Sequence, residues 1–257
     1  VRVGSLLKTA NINIIDQADV PRKPYSPRLV LNLAVSVILF LGFASFVILL
    51  LELLNNTFAT PDQVESDLGL PMLGIIPFVP EDRIIDELAD SSSQISESYR
   101  TLRTSLQFTG AEDEIKTLLI TSSEPSEGKS STIFKLASEF AALGKRVLVI
   151  DADMRKPKMH RLFKTDNSNG LSNLLTNVVR SEISRDVFRT TSDPNITFLA
   201  AGTIPPNSAD LLASHKMSLL LSLCRKQYDM VLVDSSPVMG LSDAPILSRS
   251  VDAVLLI

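Results

Sequence analysis

The sequence is poor in the residues that form disulfides and zinc sites. It has one cysteine, Cys224, and two histidines, His160 and His215, among 257 residues. A single cysteine excludes a disulfide within the chain, and so few sulfur and imidazole ligands argue against a Cys/His zinc site. Because Cys224 lies in the apolar run LLLSLC, we expect it to be a small core residue.

The sequence also lacks the excess of basic residues that many nucleic-acid binders use. Lysine and arginine number 25 against 29 aspartates and glutamates, which gives a net charge of −4. Binding through bulk positive charge is therefore not expected, and we expect no nucleic-acid partner.

A third absence is local, because residues 29–51 contain no charged side chain and Asn32 is their only strongly polar residue. A run of about 23 residues is long enough to cross a hydrocarbon core of about 30 Å. We therefore predict a transmembrane helix over residues 29–54. A buried core helix is the alternative, but apolar runs of this length are rare in soluble folds.

Prolines and charges divide the rest of the chain. We interpret residues 1–28, which prolines interrupt, as an extended extracytoplasmic segment next to the membrane. Basic residues precede the apolar run and acidic residues follow it, so the positive-inside rule alone places the N-terminal end in the cytoplasm. Residues 55–95 are predicted to form a juxtamembrane linker, and residues 96–257 a single domain. Since the chain starts without methionine and ends inside an apolar run, we expect a fragment of a longer protein.

Alternating apolar runs and amphipathic stretches predict the fold of this domain. The runs TLLIT, VLVI, ITFLA, MVLV and AVLLI are typical of strands. Helices are predicted over about Ser96–Phe108 and Lys129–Leu143, with Gly144 as the C′ residue of the second. Short strands separated by helices indicate an α/β fold, a P-loop NTPase-like, mostly parallel sheet with helices on both faces.

The segment SSEPSEGKSST, between strand TLLIT and a helix, resembles the phosphate-binding loop G-x-x-x-x-G-K-[ST]. In that loop a glycine lets the backbone approach phosphate, a lysine reaches the β- and γ-phosphates, and a hydroxyl binds Mg²⁺. Ser123 stands where the general motif has its first glycine, which weakens the match. The nucleotide-binding residues predicted here are Ser126, Glu127, Gly128, Lys129, Ser130 and Ser131.

Two other strands end in carboxylates. VLVIDADMRKP places Asp151 and Asp153 at one strand tip, and YDMVLVDSSP places Asp234 at another, where α/β folds bind their ligands. Carboxylates two residues apart point the same way and repel each other, and Mg²⁺ bound with ATP would relieve that repulsion. The alternative is a solvated acidic loop with Arg155 and Lys156 as counterions.

Two further aspartates near the strand MVLV are given structural roles. We expect Asp229 at the surface and Asp243, in GLSDAP, as a helix cap. The loop lysine and serine with the three strand-tip aspartates form a constellation suited to phosphoryl transfer, which needs positioning and charge neutralisation. These residues alone leave the acceptor open, because water would make an ATPase and a hydroxyl would make a kinase.

The paired Walker motifs, with an extra strand ending in DADMR, resemble the bacterial tyrosine kinase family, whose relatives are partition-type and septum-site ATPases. Similarity extends to ESYRTLRTSLQF, LPMLGIIP, MRKPKMHRLF, GLSNLL and AAGTIPPNSADLLAS. The proline-rich approach and apolar helix resemble the second transmembrane segment of polysaccharide chain-length regulators. The resemblance implies an ATP-dependent protein-tyrosine autokinase that regulates exopolysaccharide or capsule chain length and export.

Carried over position by position, the resemblance implies roles for the site residues. Lys129 and Ser130 would bind phosphates and Mg²⁺, with Asp151 and Asp234 helping to hold the metal. Asp153 would orient or deprotonate the tyrosine hydroxyl. Two departures from the usual pattern are Ser123 in the phosphate loop and SSP in place of TPP after Asp234.

The resemblance also implies how subunits meet. Glu97, Arg100 and Arg103 match the family's E-x-x-R-x-x-R helix, which joins neighbouring subunits in a ring. A solvated ion-pair face is the alternative, since these residues are spaced for contacts along one helix. Arg155 would contact phosphate or a neighbouring subunit.

Further expectations concern partners and location. The family implies a homo-oligomer in the bacterial cytoplasmic membrane, with the kinase domain in the cytoplasm, working with polysaccharide export and polymerisation machinery and a tyrosine phosphatase. This topology contradicts the local charge rule, but ATP is available in the cytoplasm. The family's substrate tyrosines would lie beyond Ile257, and we expect Tyr25, Tyr99 and Tyr228 to be structural.

Two other functions compete with a kinase. A membrane-bound partition-type P-loop ATPase commonly has an early lysine in the phosphate loop, and EPSEGK has none there. A non-catalytic chain-length scaffold that binds nucleotide would not need the strand-tip carboxylates.

Overall fold

The computed structural model describes residues 26–54, 61–80, 87, 90, 92–109, 114–176 and 185–257. The chain divides into two compact units, Val1–Leu70 and Pro71–Ile257. The proline-rich stretch before residue 26, with Tyr25, lies outside the described residues.

One long apolar helix dominates the first unit. Helix α1 spans Leu29–Leu54, the bounds predicted from the sequence. Among the described residues it is the one helix long and apolar enough to cross a membrane, and none of its most apolar window is buried within the chain. A core helix would be buried, so exposed side chains such as Phe40 and Leu53 favour the membrane interpretation. Helix α2 spans Pro61–Leu68, within the predicted linker.

The second unit alternates helices and strands. Its described helices are α3 (Gln94–Thr109), α4 (Lys129–Ala141), α5 (Met159–Leu162), α6 (Leu171–Thr176), α7 (Ser208–Leu212), α8 (His215–Gln227) and α9 (Asp243–Ser248). The strands are β1 (Thr117–Thr121), β2 (Val147–Asp151), β3 (Phe188–Thr190), β4 (Ile196–Leu199), β5 (Met230–Asp234) and β6 (Ala253–Leu256).

These strands form one sheet in the order β3-β4-β2-β5-β1-β6. All neighbouring pairs are parallel except β3 and β4, which are antiparallel. The five strands predicted from the sequence are confirmed. Strand β3 was not predicted, because three residues, FRT, are too short to show an apolar period.

Helices cover both faces of the sheet, as predicted. Leu118 and Ile120 of β1 belong to a core shared with α3, α4 and α5, whereas Leu119 belongs to a core shared with α6, α7, α8 and α9. Successive strand residues point to opposite faces, so one strand serves both cores. Every residue of β1, β2 and β5 is buried, as expected for central parallel strands.

Helices α3 and α4 pack together on the first face. Ile95, Tyr99, Leu102 and Leu106 recur at helical spacing and form the buried stripe of α3. Helix α4 ends two residues before its predicted end, with Ala142 as its C-cap. Gly144, predicted as the C′ residue, therefore lies one position beyond the observed C′, with a φ of 75° that suits glycine.

The second unit begins before the predicted domain boundary at residue 96. Leu73, Ile76 and Val79 pack against the core that α3 shares with the sheet. The segment around Gly74 also lies against Leu102, since a Cβ at the glycine would meet the leucine Cβ at 3.7 Å. Part of the segment assigned to the linker is therefore packed on the domain.

The loop after β4 is locked against the start of α6. The N–H groups of Leu171 and Ser172 donate to the carbonyls of Ala200 and Ala201 at 2.8 and 2.9 Å. These bonds bring the backbone of Gly170 so close that a Cβ there would overlap the Ala200 carbonyl oxygen. This loop therefore has little room to adjust.

We predict that Gly170→Ala lowers the free energy of unfolding by about 1–3 kcal/mol, because the new methyl group meets backbone atoms. Gly74→Ala is the matched control, since its Cβ would make only ordinary contact with Leu102. Urea unfolding of both variants measures the difference. Equal midpoints for the two variants would contradict the close approach at Gly170.

Candidate active site

The loop between β1 and α4 has the geometry of a phosphate cradle. Gly128 is the N-cap of α4 with a φ of 91°, and Ser126 also has a positive φ, 73°. The carboxylate of Glu127 accepts the N–H of Glu124 at 3.0 Å and so closes the loop on itself. The first N–H groups of the 13-residue helix α4 have no partner in an earlier helical turn, which makes its N-terminus a favourable place for an anion.

Ser123 does not impair this loop, although it replaces the first glycine of the general motif. Within the described ranges only Ser126 and Lys164 are non-glycine residues with positive φ. Ser123 does not have a positive φ, so its position does not require glycine. Its carbonyl accepts the N–H of Met239 at 3.2 Å, and the Ser122 carbonyl accepts the N–H of Val238 at 2.8 Å. The loop after β5 thus supports the phosphate loop.

The Lys129 side chain reaches the carboxyl end of β5. Lys129 Nζ lies 3.0 Å from Oδ1 of Asp234, and both side chains are largely buried. The contact is an ion pair between the ammonium group and the carboxylate. The predicted lysine and aspartate are therefore brought together at the tip of β5.

Two buried carboxylates lie side by side at this edge. Asp151 of β2 is paired in register with Asp234 of β5, and each is at most 2% exposed. Burial, and then the charges of Asp234 and Asp153, raise the pKa of Asp151 well above its usual value. Burial raises the pKa of Asp234 to about 6, although the lysine pair opposes this shift. Ionising both carboxylates at once is therefore unfavourable.

The donor set fits a divalent cation. Both side-chain oxygens of Asp151 are buried without a hydrogen-bond partner among the described residues. Carboxylate and hydroxyl oxygens are the ligands that Mg²⁺ prefers, and Mg²⁺ commonly binds through one or two carboxylates plus substrate phosphates. In the described part of the chain no group of three or more Asp, Glu, His or Cys is arranged to hold a metal by itself. An ion here would therefore depend on phosphate oxygens.

Asp153 is held in one orientation. Its Oδ1 accepts the N–H of Lys156 at 3.1 Å and the hydroxyl of Ser236 at 2.9 Å. The side chain is nearly buried, at 8% exposure. Lys156 thus contacts Asp153 through its backbone N–H. This contact differs from the side-chain counterion role that the solvated acidic loop would give Lys156.

Arg155 is bound by Asp243, which was predicted from the sequence to cap a helix. Its Nε and Nη2 donate to the two carboxylate oxygens of Asp243 at 2.8 and 3.1 Å. The predicted cap role of Asp243 is wrong, since Ser242 is the N-cap of α9 and the Asp243 side chain turns to the arginine instead. The arginine remains 42% exposed, so its predicted contact with phosphate or a neighbouring subunit stays a prediction.

The two arginines of the E-x-x-R-x-x-R segment in α3 contact α4 of the same chain. Arg100 Nε and Arg103 Nη1 each lie 3.6 Å from Oε2 of Glu139, and Lys135 Nζ lies 3.5 Å from its other oxygen. Glu97 pairs with Arg100 at 3.1 Å and is 69% exposed. Arg103 and the glutamate are largely buried, so this is not a fully solvated face.

Other residues noted in the sequence have structural contacts. Cys224 is buried in the core, and burial raises the pKa of its thiol to about 12. The hydroxyl of buried Tyr99 lies 3.1 Å from the hydroxyl of Thr132, and Tyr228 is partly buried against the second core. Asp229 is not a free surface residue, because it accepts three hydrogen bonds from Arg146 at 2.8–3.2 Å.

Comparison with known proteins is consistent with a nucleotide site. The AAA domain family matches residues 115–257. The chain is 37% identical over 175 residues to the tyrosine-protein kinase YwqD of Bacillus subtilis, covering 68% of this chain and 73% of that protein. It is 31% identical to a putative tyrosine-protein kinase in the cps region of Klebsiella pneumoniae, covering 96% of this chain and 36% of that protein. The chain thus spans about a third of the longer relative.

A solved structure supports the same fold. The kinase domain of the Escherichia coli tyrosine kinase ETK is 30% identical to this chain, and the match covers 77% of this chain and 80% of that domain with a TM-score of 0.69. These similarities indicate that the chain binds a nucleotide.

We predict that Asp151→Asn raises the free energy of unfolding of the nucleotide-free chain by about 1 kcal/mol, because it removes a buried carboxylate whose ionisation is unfavourable. The same change should abolish Mg²⁺-dependent nucleotide binding, since the carboxylate is lost. Urea unfolding and binding of a fluorescent ATP analogue measure the two effects.

Asp229→Asn is the control for this prediction. That carboxylate is fully paired, and the hydrogen bonds from Arg146 lower its pKa to about 2. Its removal should destabilise the chain and leave nucleotide binding unchanged. A loss of stability in both variants would contradict the strain inferred at Asp151.

A pH dependence follows from the raised pKa of Asp234. Between about pH 7.5 and about pH 5 the folded chain takes up a proton at this group that the unfolded chain does not, so its contribution to stability rises as pH falls. Asp234→Asn lacks the titrating group, so its urea midpoint should gain less than that of the parent over the same interval. An equal change in the parent and the variant would contradict the raised pKa.

Proposed function

Because the chain belongs to the family of tyrosine-protein kinases that carry this AAA domain, we propose that it is the membrane-anchored, ATP-binding portion of a protein-tyrosine autokinase. We further propose that the whole protein regulates the chain length and export of an exopolysaccharide or capsule. The names of relatives from polysaccharide regions support this assignment.

One observation carries the proposal most directly. The phosphate loop delivers Lys129 to the same strand edge at which Asp151 and Asp234 lie in register. A loop that only bound nucleotide would not need two buried carboxylates, one of which has no protein partner in the described residues. Lys129 offsets part of the cost of burying Asp234, and a bound cation would offset the remaining cost of burying the two carboxylates.

We assign the nucleotide to the α4 N-terminus. The backbone N–H groups of Gly128, Lys129, Ser130 and Ser131 would bind the β- and γ-phosphates, with the lysine moving from Asp234 to phosphate. The Ser130 hydroxyl and the two register-paired carboxylates would hold Mg²⁺. That ion, when bound, supplies charge neutralisation at the γ-phosphate.

Phosphoryl transfer then needs an acceptor oxygen and a base. Asp153 would accept the proton of a tyrosine hydroxyl while the phenolic oxygen bonds to the γ-phosphorus and the bond to the β–γ bridging oxygen breaks. The products are phosphotyrosine and ADP. Because both hydrogen bonds seen to Asp153 reach Oδ1, its Oδ2 is the oxygen that would take the proton.

The surroundings of the enzyme are part of the proposal. Helix α1 would anchor the chain in the bacterial cytoplasmic membrane, with the nucleotide site in the cytoplasm where ATP is available. Both arginines contact Glu139, but Arg100, like Glu97, is exposed enough to contact a second subunit, whereas Arg103 is largely buried. A homo-oligomeric ring, polysaccharide export and polymerisation machinery and a tyrosine phosphatase would be the partners.

We predict that Lys129→Met abolishes phosphotyrosine formation when the complete gene product, purified in detergent, is given Mg-ATP. Loss of the phosphate-binding charge should lower the rate at least about 100-fold. An anti-phosphotyrosine blot over time measures it. Lys145→Met is the control, because this lysine is 40% exposed and contacts only Glu114 among the ion pairs seen.

The outcomes separate the three candidate functions. Phosphotyrosine in the parent and in Lys145→Met, but not in Lys129→Met, supports an autokinase that acts through this loop. ATP hydrolysis without phosphotyrosine in the parent would favour the partition-type ATPase. Nucleotide binding with neither activity would favour a chain-length scaffold.

A further inference from the structure

A single serine lies between two aspartates beside the proposed active site. The Ser236 hydroxyl oxygen is 2.9 Å from Oδ1 of Asp153 and 3.2 Å from Oδ2 of Asp243. All three side chains are buried or nearly so, with exposures of 1%, 8% and 0%. The serine follows β5, whereas the two carboxylates follow β2 and begin α9, so this contact joins three separate parts of the fold.

The hydroxyl has one proton and can donate it to only one of these carboxylates. Asp243 already accepts two hydrogen bonds from Arg155, at 2.8 and 3.1 Å, and lies 3.3 Å from the Ser208 hydroxyl. Asp153 has only the Lys156 N–H besides the serine. The shorter distance and the greater need for a donor therefore assign the proton to Asp153.

Asp243 keeps the serine in place from the other side. Burial alone raises the pKa of Asp243, but the hydrogen bonds and charge of Arg155 outweigh it and bring the pKa below its usual value. The aspartate is therefore a charged group whose two oxygens already accept hydrogen bonds from Arg155. Because Arg155 and Ser208 hold Asp243 in place, its contact with Ser236 restricts the position of the serine hydroxyl.

This arrangement orients the proposed base. With Oδ1 held by the serine hydroxyl and a backbone N–H, the Asp153 carboxylate cannot rotate without losing two hydrogen bonds. Its Oδ2 is thereby left for the acceptor hydroxyl.

We propose that Ser236, held by Asp243, is a positioning residue that fixes the orientation of Asp153 for phosphoryl transfer. The proposal rests on the proposed kinase function. It assigns to Ser236 an effect on the transfer step and none on nucleotide binding, because the serine contacts neither the phosphate loop nor the register-paired carboxylates in the hydrogen bonds seen.

The test compares two neighbouring serines in the complete gene product. Ser236→Ala removes the hydroxyl that reaches Asp153. Ser235→Ala is the matched control, because Ser235 is equally buried and its hydroxyl contacts only backbone carbonyls, those of Ile120 and Ser236, at 3.3 Å. The measurements are the rate of phosphotyrosine formation at saturating Mg-ATP, the affinity for a fluorescent ATP analogue and the urea midpoint.

We expect Ser236→Ala to lower the transfer rate about tenfold, which corresponds to loss of one hydrogen bond to a charged group, with nucleotide affinity changed less than about twofold. Ser235→Ala should keep a rate within about twofold of the parent. Ser236→Thr retains a hydroxyl and should recover most of the lost rate.

Other results would overturn the positioning role. Equal rate losses in Ser236→Ala and Ser235→Ala, or equal losses in Ser236→Ala and Ser236→Thr, would show that packing in this loop matters and not the hydroxyl. A loss of nucleotide affinity at an unchanged transfer rate would place Ser236 in binding instead. A parent that makes no phosphotyrosine would overturn the proposed kinase function itself, and the positioning role with it.

Discussion

The register of β2 against β5 places Asp151 and Asp234 next to each other where both strands end. Since both are buried, ionising either one is costly, the charge of Asp234 raises the pKa of Asp151 further, and the Lys129 ion pair relieves only Asp234. Two ionised carboxylates at this edge need further positive charge. Much of the surrounding structure is suited to binding a cation and the phosphate groups that accompany it.

The loops around this edge are held by contacts between different strands. Backbone hydrogen bonds join the loop after β5 to the phosphate loop, and Asp243 ties Arg155 to the start of α9. The loop after β4 is locked to α6 near Gly170. Because phosphoryl transfer depends on positioning more than on covalent chemistry, such rigidity at the carboxyl edge of the sheet suits the proposed function.

Much of the fold was predictable because its signals are local. Five apolar runs, an amphipathic helix and the apolar stretch of α1 each show their structure within one segment, and the structure confirms them. Strand β3 was missed because three residues carry no period. Residues 71–79 were assigned to a linker because prolines hide their pattern, although Leu73, Ile76 and Val79 pack on the core.

By itself, the sequence determined which residues carry charge and hydroxyl groups to the strand tips, because the phosphate loop and the acidic strand ends are contiguous motifs. It also determined the apolar helix by length and composition alone. Only the tertiary structure decided that Asp243 holds Arg155 and not a helix end, that Ser236 reaches Asp153, and that Glu139 faces the arginines of α3. These contacts join residues far apart in the chain, so no local spacing encodes them, and they depend on which strands the sheet places side by side.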